Sequence, residues 1–508
     1  MKNKISLLLI LLSMLIFSSR TALSQIVETY HEPFRPQLHF SPKAHWMNDP
    51  NGMVYFNHTY HLFFQYYPGA MVWGPMHWGH AISKDLVHWQ ELPIALYPDS
   101  LGYIFSGSAV VDSGNSSGFG KNGKIPLVAV FTHHDPKGEK SGANNFQNES
   151  IAYSLDEGHT WTKYTGNPVL KNPGITDFRD PKVMWYAKEK KWVMTLATKD
   201  RITFYSSPNL KDWTKESEFG KEQGGHGGVW ECPDLVQLKL NGKSYWVLIV
   251  NINPGGPNGG SATQYFVGQF DGKQFTPIDD NTKWLDYGPD EYAGVTWSNT
   301  GARKVFLGWM SNWQYANQVP TSPWRSAMTI PRELKLIVYK GNILVASYPV
   351  SEINKLKGKS FSISNIEVKK RNKVNTSGKT NSGQYRVDLQ VSSVKDFTIE
   401  LANSNNEKLT VGFNKKANQY FIDRTNAGIH DFNKGFSGVF TAPRLSEHKS
   451  LKLTLIVDRA SVELFADDGA TVMTCIFFAH KPLDKIAILP MSTINIKSLA
   501  VTGLKSIW

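Results

Sequence analysis

The chain has 508 residues, of which 41% are hydrophobic and 12% aromatic. That length exceeds the size at which a single hydrophobic core stops growing, so we expect two domains. The formal net charge is +12, but the basic residues are dispersed apart from runs such as "VKKRNK" (368–373). We interpret these residues as solvated surface and do not expect a nucleic-acid partner.

Residues 1–24 have the organisation of a secretory signal peptide. Lys2 and Lys4 precede an apolar run from Ile5 to Phe17, and small and polar residues follow up to Ser24. The run is short for a membrane-spanning helix, and no later segment has the length and apolarity to cross a bilayer. We therefore predict cleavage near Ser24 and export to the periplasm or the extracellular space.

Residues 25–349 have the pattern of short β-strands separated by Gly, Pro, Asn and Asp. A weak repeat supports this interpretation, because "SKDLVHW" (83–89), "SLDEGHTW" (154–161) and "SSPNLKDW" (206–213) each place Ser and Asp or Asn before a Trp. "FDGKQF" (270–275) resembles a degenerate copy. One such turn per four-stranded unit favours a β-propeller, with an ordinary β-sandwich as the alternative.

The character of the sequence changes after residue 349. Residues 350–359 are predicted to be a linker, and residues 360–508 are richer in Lys, Ser, Asn and alternating β-branched residues. The stretch "SLKLTLIVDRASVELFADDGATVMTCIFF" (450–478) is typical of successive antiparallel strands with a "DDG" turn. We predict an all-β protein whose second domain is a β-sandwich.

Cys232 and Cys475 lie far apart and have no metal-ligand spacing. One long-range disulfide is compatible with the sequence, but two buried free thiols are favoured. The histidines lack the HExxH spacing of a zinc site, and no glycine-rich phosphate loop precedes a helix. The sequence therefore predicts neither a metal nor a cofactor.

Three acidic residues stand in unusual surroundings. Asp49 lies in "WMNDPNG" (46–52), Asp180 in "FRDPKV" (178–183) and Glu231 in "VWECPDL" (229–235). A proline follows each acid directly or after one residue, which predicts stiff, extended backbone, and aromatic neighbours limit solvent. Taken singly, each motif is more typical of a turn or an ion pair than of a catalytic acid. In a propeller, however, the inner strands converge on one funnel, where the three acids could meet.

These motifs, in this order, resemble glycoside hydrolase family 32, the β-fructofuranosidases. The resemblance extends from about Leu38 to the C-terminus and includes these further stretches: "WGPMHWGHAIS" (73–83), "IFSGSAVVD" (104–112), "DYGPDEYAGVTW" (286–297), "GWMSNWQYA" (308–316), "PTSPWRSAMTIPREL" (320–334) and "DRASVELFADDG" (458–469). It implies a five-bladed β-propeller followed by a C-terminal β-sandwich. It also implies a double displacement with retention of configuration at a terminal fructosyl unit of a fructan or of sucrose.

The resemblance also implies a role for each acid. Asp49 matches the nucleophile and must be ionised, whereas Glu231 matches the general acid and base and must start protonated. Asp180 matches a transition-state stabiliser that binds fructose hydroxyls, and Arg179 beside it is expected to lower the pKa of Asp180. The residues that match the substrate pocket are Trp46, Met47, Asn48, Gln65, Trp73, Phe105, Ser106 and Trp313. Tyr292 and Asp290 are further candidates.

Several functions remain open within this interpretation. The motifs favour an exo-acting fructan hydrolase, but an endo-acting levanase needs only a more open groove, and a fructosyltransferase uses the same covalent intermediate. An inactive fructan-binding propeller is the alternative from another class, and the three intact acids argue against it. Ser326 departs from the family pattern, which favours glycine there.

Overall fold

The computed structural model describes residues 30–369, 374–375 and 383–508, so the segment assigned to a signal peptide lies outside the described residues. Residues 45–349 form five antiparallel sheets, each built mainly from consecutive strands. Their innermost strands contact one another in a closed cycle, which is the arrangement of a propeller. The described residues after 356 form two six-stranded sheets. The predicted propeller followed by a β-sandwich is confirmed.

The five blades consist of the following strands. Blade one contains β1 (His45–Phe56), β2 (Thr59–Tyr67), β3 (His77–Ser83) and β4 (Gln90–Leu96). Blade two contains β5 (Tyr103–Val111), β6 (Leu127–His134), β7 (Gln147–Ser154) and β8 (Thr162–Lys163). Blade three contains β9 (Phe178–Tyr186), β10 (Lys191–Thr198), β11 (Ile202–Ser207) and β12 (Thr214–Phe219). Blade four contains β13 (Val229–Leu240), β14 (Lys243–Asn253), β15 (Ala262–Phe270), β16 (Phe275–Pro277) and β17 (Lys283–Trp284).

Blade five contains β18 (Tyr292–Thr296), β19 (Val305–Met310), β21 (Ala327–Met328), β22 (Arg332–Tyr339) and β23 (Asn342–Pro349). Between its strands, β20 (Trp324–Arg325) pairs with β1 in parallel and so joins blade five to blade one. A short α-helix, α1 (Pro136–Lys140), follows β6, and a 3-10 turn covers Ala316–Gln318. No helix of the described residues has the length and apolarity needed to cross a membrane.

The repeated Ser and Asp or Asn motif forms the turn after the third strand of three blades. Ser83, Ser154 and Ser207 end those strands, and their hydroxyls contact Asp85, Asp156 and Asn209. The Asp or Asn oxygen then accepts backbone N–H groups of the turn, as Asp85 does from Val87 and His88. In the degenerate copy, Asp271 accepts two backbone N–H groups in the same way. The repeat is therefore a hydrogen-bonded turn that recurs in blades one to four.

A 3-10 helix, Ser351–Leu356, leads from the propeller to the sandwich. One sheet of the sandwich consists of β24 (Lys357–Val368), β26 (Tyr385–Val391), β31 (Leu451–Val457), β32 (Ser461–Ala466), β33 (Thr471–Ile476) and β35 (Ile494–Leu504). The other consists of β25 (Val374–Asn375), β27 (Phe397–Ala402), β28 (Lys408–Asn414), β29 (Gln419–Asn426), β30 (Val439–Pro443) and β34 (Lys485–Pro490). A 3-10 turn, Asp467–Gly469, joins β32 to β33. Alternating strand residues fill one apolar core between the sheets.

The two domains meet across a surface that contains buried charges. Arg332 of β22 contacts Asp286 of the propeller and Glu463 of β32, and all three side chains are at most 1% exposed. Arg424 of β29 donates to Asp290 of the propeller at 2.6 Å. Because each arginine contacts both domains, these ion pairs hold the sandwich against blade five.

Candidate active site

The five innermost strands β1, β5, β9, β13 and β18 each carry a β-bulge in their first half. A bulge inserts an extra residue into one strand of an antiparallel pair, bends that strand and re-aims a side chain. The bulges lie next to Asp49 in β1, Asp180 in β9 and Glu231 in β13. The acids therefore leave the sheets at corresponding positions and face the propeller axis at one mouth.

The prolines of the three acidic motifs coincide with these bulges. Pro50, Pro181 and Pro233 lack an N–H group, which a bulged residue does not need for the strand ladder. The expectation of extended backbone before proline is wrong at two of these positions, because Asp180 has φ 67° and Cys232 has φ 42°. Both residues adopt left-handed conformations that the bulge imposes against their local preference.

Asp49 is partly buried and receives hydrogen bonds on both carboxyl oxygens. Asn48 Nδ2 donates to Oδ1 at 2.9 Å and the Ser106 hydroxyl donates to Oδ2 at 2.6 Å. Burial raises the pKa of Asp49, the Ser106 hydrogen bond lowers it, and the charge of Glu231 raises it again, with a net upward shift. The donors thus favour the ionised form of Asp49, but burial and the charge of Glu231 outweigh them.

Asp180 is 5% exposed, and its Oδ2 accepts a hydrogen bond from the Cys232 backbone N–H at 3.0 Å. Burial raises the pKa of Asp180 to about 7, with further upward contributions from Glu231 and Asp49. Arg179, whose Nε lies 3.9 Å from Oδ2, lowers the pKa of Asp180 as expected, but burial and the two neighbouring carboxyls outweigh it. The cluster of acids therefore retains a proton near neutral pH.

Glu231 is 19% exposed in its side chain and accepts hydrogen bonds on both oxygens. Arg179 Nη2 donates to Oε1 at 3.0 Å, and the Tyr292 hydroxyl donates to Oε2. Arg179 also contacts Asp180, so a single guanidinium serves two acids. The Cys232 thiol lies 3.4 Å from Asp49 Oδ2 and 3.6 Å from Asp180 Oδ2. All three acids thus belong to one connected cluster.

The acids line an open cleft of about 330 Å³. That volume is typical of a small-molecule site. Of the twelve residues predicted for the site, ten line this cleft: Asn48, Asp49, Gln65, Trp73, Phe105, Ser106, Arg179, Asp180, Glu231 and Trp313. Aromatic rings form its rim, since Trp73 stands edge-on to Phe105 at a centroid distance of 6.1 Å and is 39% exposed. Polar groups lie at the bottom and flat rings at the entrance.

Models of the N-terminal and C-terminal domains of glycosyl hydrolases family 32 match residues 39–347 and 352–502. The chain belongs to glycoside hydrolase family 32. This confirms the resemblance inferred from the motifs that contain Asp49, Asp180 and Glu231.

The chain is similar to other proteins of family 32 over most or all of its length. It is 46% identical to a levanase of Bacillus subtilis, with an alignment that covers 100% of this chain and 76% of the relative. It is 42% identical to an extracellular exo-inulinase of Aspergillus awamori, covering 88% of this chain and 90% of that one. The crystal structure of exo-inulinase from Aspergillus awamori superposes with a TM-score of 0.86, covering 94% and 100% of the two chains at 39% identity.

Two predicted pocket residues of this family 32 chain lie behind the cleft wall. Trp46 and Met47 are fully buried in the hydrophobic core between blades one and five. The Trp46 indole donates to Asn48 Oδ1 at 2.8 Å, and its ring stacks on Trp313 at a centroid distance of 5.8 Å. Trp46 therefore positions two residues that do line the cleft.

Five cleft residues were not predicted from the sequence: His134, Glu139, Gln147, Asp177 and Asn253. His134 stacks on Phe105 at a centroid distance of 4.2 Å, and its Nε2 lies 3.1 Å from Glu139 Oε2. Glu139 lies on α1, which thereby forms part of the rim. No local motif marks these residues, because they reach the cleft from strand ends and a loop of blades two to four.

The structure also places the two further site candidates, the serine that departs from the family pattern and the two cysteines. Tyr292 contacts the site through Glu231, whereas Asp290 is fully buried and bonds to Arg424 and Tyr315 at the domain interface. Ser326 has φ 74°, a conformation that favours glycine and explains the family preference. Cys232 and Cys475 are separate, buried free thiols, as predicted.

Proposed function

We propose that the chain is an exported, exo-acting β-fructofuranosidase that releases terminal fructose from levan or inulin and also cleaves sucrose with retention of configuration. The observation that carries this proposal is the joining of Asp49, Asp180 and Glu231 in one cleft at the propeller mouth. The similarity to a levanase and an exo-inulinase supports fructans as the substrate class.

In the proposed mechanism, Asp49 attacks the anomeric carbon C2 of the terminal fructosyl unit. Glu231 gives a proton to the departing glycosidic oxygen, which leaves with the rest of the chain, and a covalent fructosyl-enzyme forms. Glu231 then removes a proton from water, and the resulting hydroxide displaces Asp49 from C2. Ser106 and Asn48 hold the nucleophile through their bonds to its two oxygens.

Asp180 and Arg179 have supporting roles in this proposal. The Asp180 carboxyl binds fructose hydroxyls, and these contacts strengthen as positive charge develops on the sugar ring. Arg179 holds Glu231 through Oε1 while Tyr292 holds Oε2, so the acid can rotate little. Preorganisation of this kind lowers the barrier, because the reacting groups need no rearrangement after binding.

The similarity to an exo-inulinase favours exo action over endo action. Trp73, Phe105, His134 and Trp313 all border the cleft at the axis of the propeller. A funnel of this kind accepts a chain end more readily than the middle of a polymer. Export is supported by the signal-like segment 1–24 and by the extracellular relative.

Product analysis tests the proposal. Purified protein is incubated separately with levan, inulin and sucrose, and the products are separated by chromatography at several early times. We expect free fructose as the sole small product from both polymers, and fructose with glucose from sucrose. Early oligosaccharides would indicate an endo-acting enzyme, lengthened chains would indicate a transferase, and no product from any substrate would contradict hydrolysis.

A further inference from the structure

A second cavity opens at the other end of the same inner strands. The first halves of β5, β9 and β13 carry residues of the catalytic cleft, whereas later residues of the same three strands, together with the last residue of β18, line this second cavity. It has a volume of about 350 Å³, similar to that of the catalytic cleft. The two cavities therefore lie at opposite mouths of the propeller axis, and nothing in the proposed mechanism uses the second one.

Two rigid indole rings border the second cavity. Trp185 is 45% exposed, which is unusual for so large an apolar ring, and it is held edge-on against Trp192 at a centroid distance of 5.0 Å. Trp246 packs edge-on against Phe270 at 5.6 Å. Because neighbouring rings hold both indoles, they offer flat surfaces whose ordering costs no further conformational entropy on binding.

Polar groups with unused hydrogen-bonding capacity lie beside these rings. Asp234 is fully buried, and its Oδ2 accepts bonds from the Thr296 backbone N–H at 2.6 Å and from Lys182 at 3.1 Å. Its Oδ1 has no hydrogen-bond partner in the part of the chain that the structure describes. Lys304 donates to the Gly301 carbonyl at 2.8 Å, which leaves two of its three N–H groups for a ligand.

The chemistry of this cavity points to a neutral polyol. The charged side chains that line the cavity are Lys182, Asp234 and Lys304, and Lys182 pairs with Asp234. One net positive charge remains, which is less than the cluster of cations that a phosphate requires. Its donors, its acceptor and its exposed indole instead match the hydroxyls and the C–H face of a sugar ring. Gln237, which is exposed at the edge of the cavity, adds an amide.

We propose that this second cavity binds a fructosyl segment of the polymer at a distance from the catalytic cleft. The proposal rests on fructans being the substrate. Binding at a second site raises the effective concentration of chain ends near the cleft, so it affects polymers and leaves sucrose unaffected.

The test uses Trp185→Ala and Gln237→Ala, with Met491→Ala as the matched control because Met491 is 64% exposed in the sandwich. Hydrolysis of sucrose, levan and inulin is measured for each full-length variant. We expect KM for both polymers to rise about three- to tenfold in Trp185→Ala, the loss of one aromatic contact, with a smaller rise in Gln237→Ala. We expect kcat/KM for sucrose to stay unchanged in all three variants.

Binding is measured independently of catalysis. Tryptophan fluorescence of Asp49→Asn is titrated with fructo-oligosaccharide, and the same titration is made with Asp49→Asn/Trp185→Ala. We expect two binding phases in the first protein and one in the second. A single binding phase in both proteins overturns the proposal, and so do polymer kinetics of Trp185→Ala equal to those of Met491→Ala. A fluorescence response of the second site to inorganic phosphate alone also overturns it. If the unchanged protein hydrolyses no fructan while Asp49→Asn still shows two binding phases, the proposed function is contradicted but the second site is not.

Discussion

The catalytic cleft and the interface between the domains both bury carboxyl groups beside arginine, yet Asp180 in the cleft and Glu463 at the interface differ in the direction of their pKa shifts. In the cleft, Arg179 contacts both Asp180 and Glu231, and burial raises the pKa of Asp180 to about 7. At the interface, Glu463 is equally buried, but its pKa is lowered, because Arg332 and His39 together outweigh burial.

The direction of the pKa shift therefore depends on the number of cations around a carboxyl and not on burial alone. Glu463 receives a charged donor on each oxygen, whereas two acids in the cleft share one guanidinium. A carboxyl with a raised pKa keeps a proton close to neutral pH, and one with a lowered pKa stays ionised and acts as a structural link.

Replacing the nucleophile disables the cleft and leaves the interface intact. In Asp49→Asn we expect kcat for sucrose to fall by about 10⁴-fold or more, because the amide cannot form the covalent intermediate. Glu139→Gln, which changes an acid on the rim of the same cleft, is the matched control and should lose less than about tenfold. The thermal unfolding of both variants should match that of the unchanged protein, and near-normal turnover by Asp49→Asn would exclude Asp49 as the nucleophile.

Removing the cation from the interface destabilises the fold. Arg332→Met leaves Glu463 and Asp286 buried without the arginine that joins them. We therefore expect the free energy of unfolding to fall by about 3–5 kcal/mol. Urea denaturation followed by fluorescence measures this change. The control is Lys335→Met on the same strand, whose exposed pair with Glu333 should contribute less than about 1 kcal/mol. Equal losses in the two variants would contradict a structural role for the buried pair.

The interface also makes stability depend on alkaline pH. His39 is fully buried between Asp458 and Glu463, and its hydrogen bonds to these carboxylates outweigh burial and raise its pKa to about 9. Because the unfolded value is about 6.5, this stabilisation is complete below about pH 6.5 and is lost as the pH rises through 9. We expect the free energy of unfolding to fall by up to about 3 kcal/mol between pH 6.5 and 9.5.

The same denaturation series on His39→Gln supplies the control for the pH effect. Its unfolding free energy should be lower at pH 6.5 and should change less between pH 6.5 and 9.5, since the group that loses its proton is absent. An unchanged pH dependence in this variant would assign the effect to other groups.

A smaller change sharpens the electrostatics of the cleft. Ser106→Ala removes the donor to Asp49 Oδ2, and that hydrogen bond opposes the upward shift of the pKa of Asp49. The pKa should therefore rise further, and the ionised nucleophile should disappear at a higher pH during acidification. We expect the acidic limb of kcat/KM for sucrose to move to higher pH, with about tenfold lower activity on that limb, as loss of a charge-assisted bond implies. An unmoved limb would show that Ser106 does not stabilise the charge.

Much of the propeller could be predicted from local signals. Ser83 with Asp85 and the equivalent pairs mark one turn in each of blades one to three, since the Asp or Asn oxygen two residues after the hydroxyl accepts backbone N–H groups of that turn. Of the twelve site residues predicted from the family motifs, ten line the cleft. Trp46 and Met47 match pocket positions of the family, but this part of β1 is buried on both faces, so both side chains pack in the core.

The sequence was sufficient to predict the all-β class, the blade turns that carry the Ser motif and the prolines that follow the three carboxylates. These properties depend on neighbours along the chain. The tertiary structure alone decided the net pKa shift of Asp180, the pairing of Arg332 with Glu463 and the contribution of His134 to the rim. These properties depend on distances between groups on different strands. The Coulomb interaction and desolvation act through space, so no local pattern can specify them.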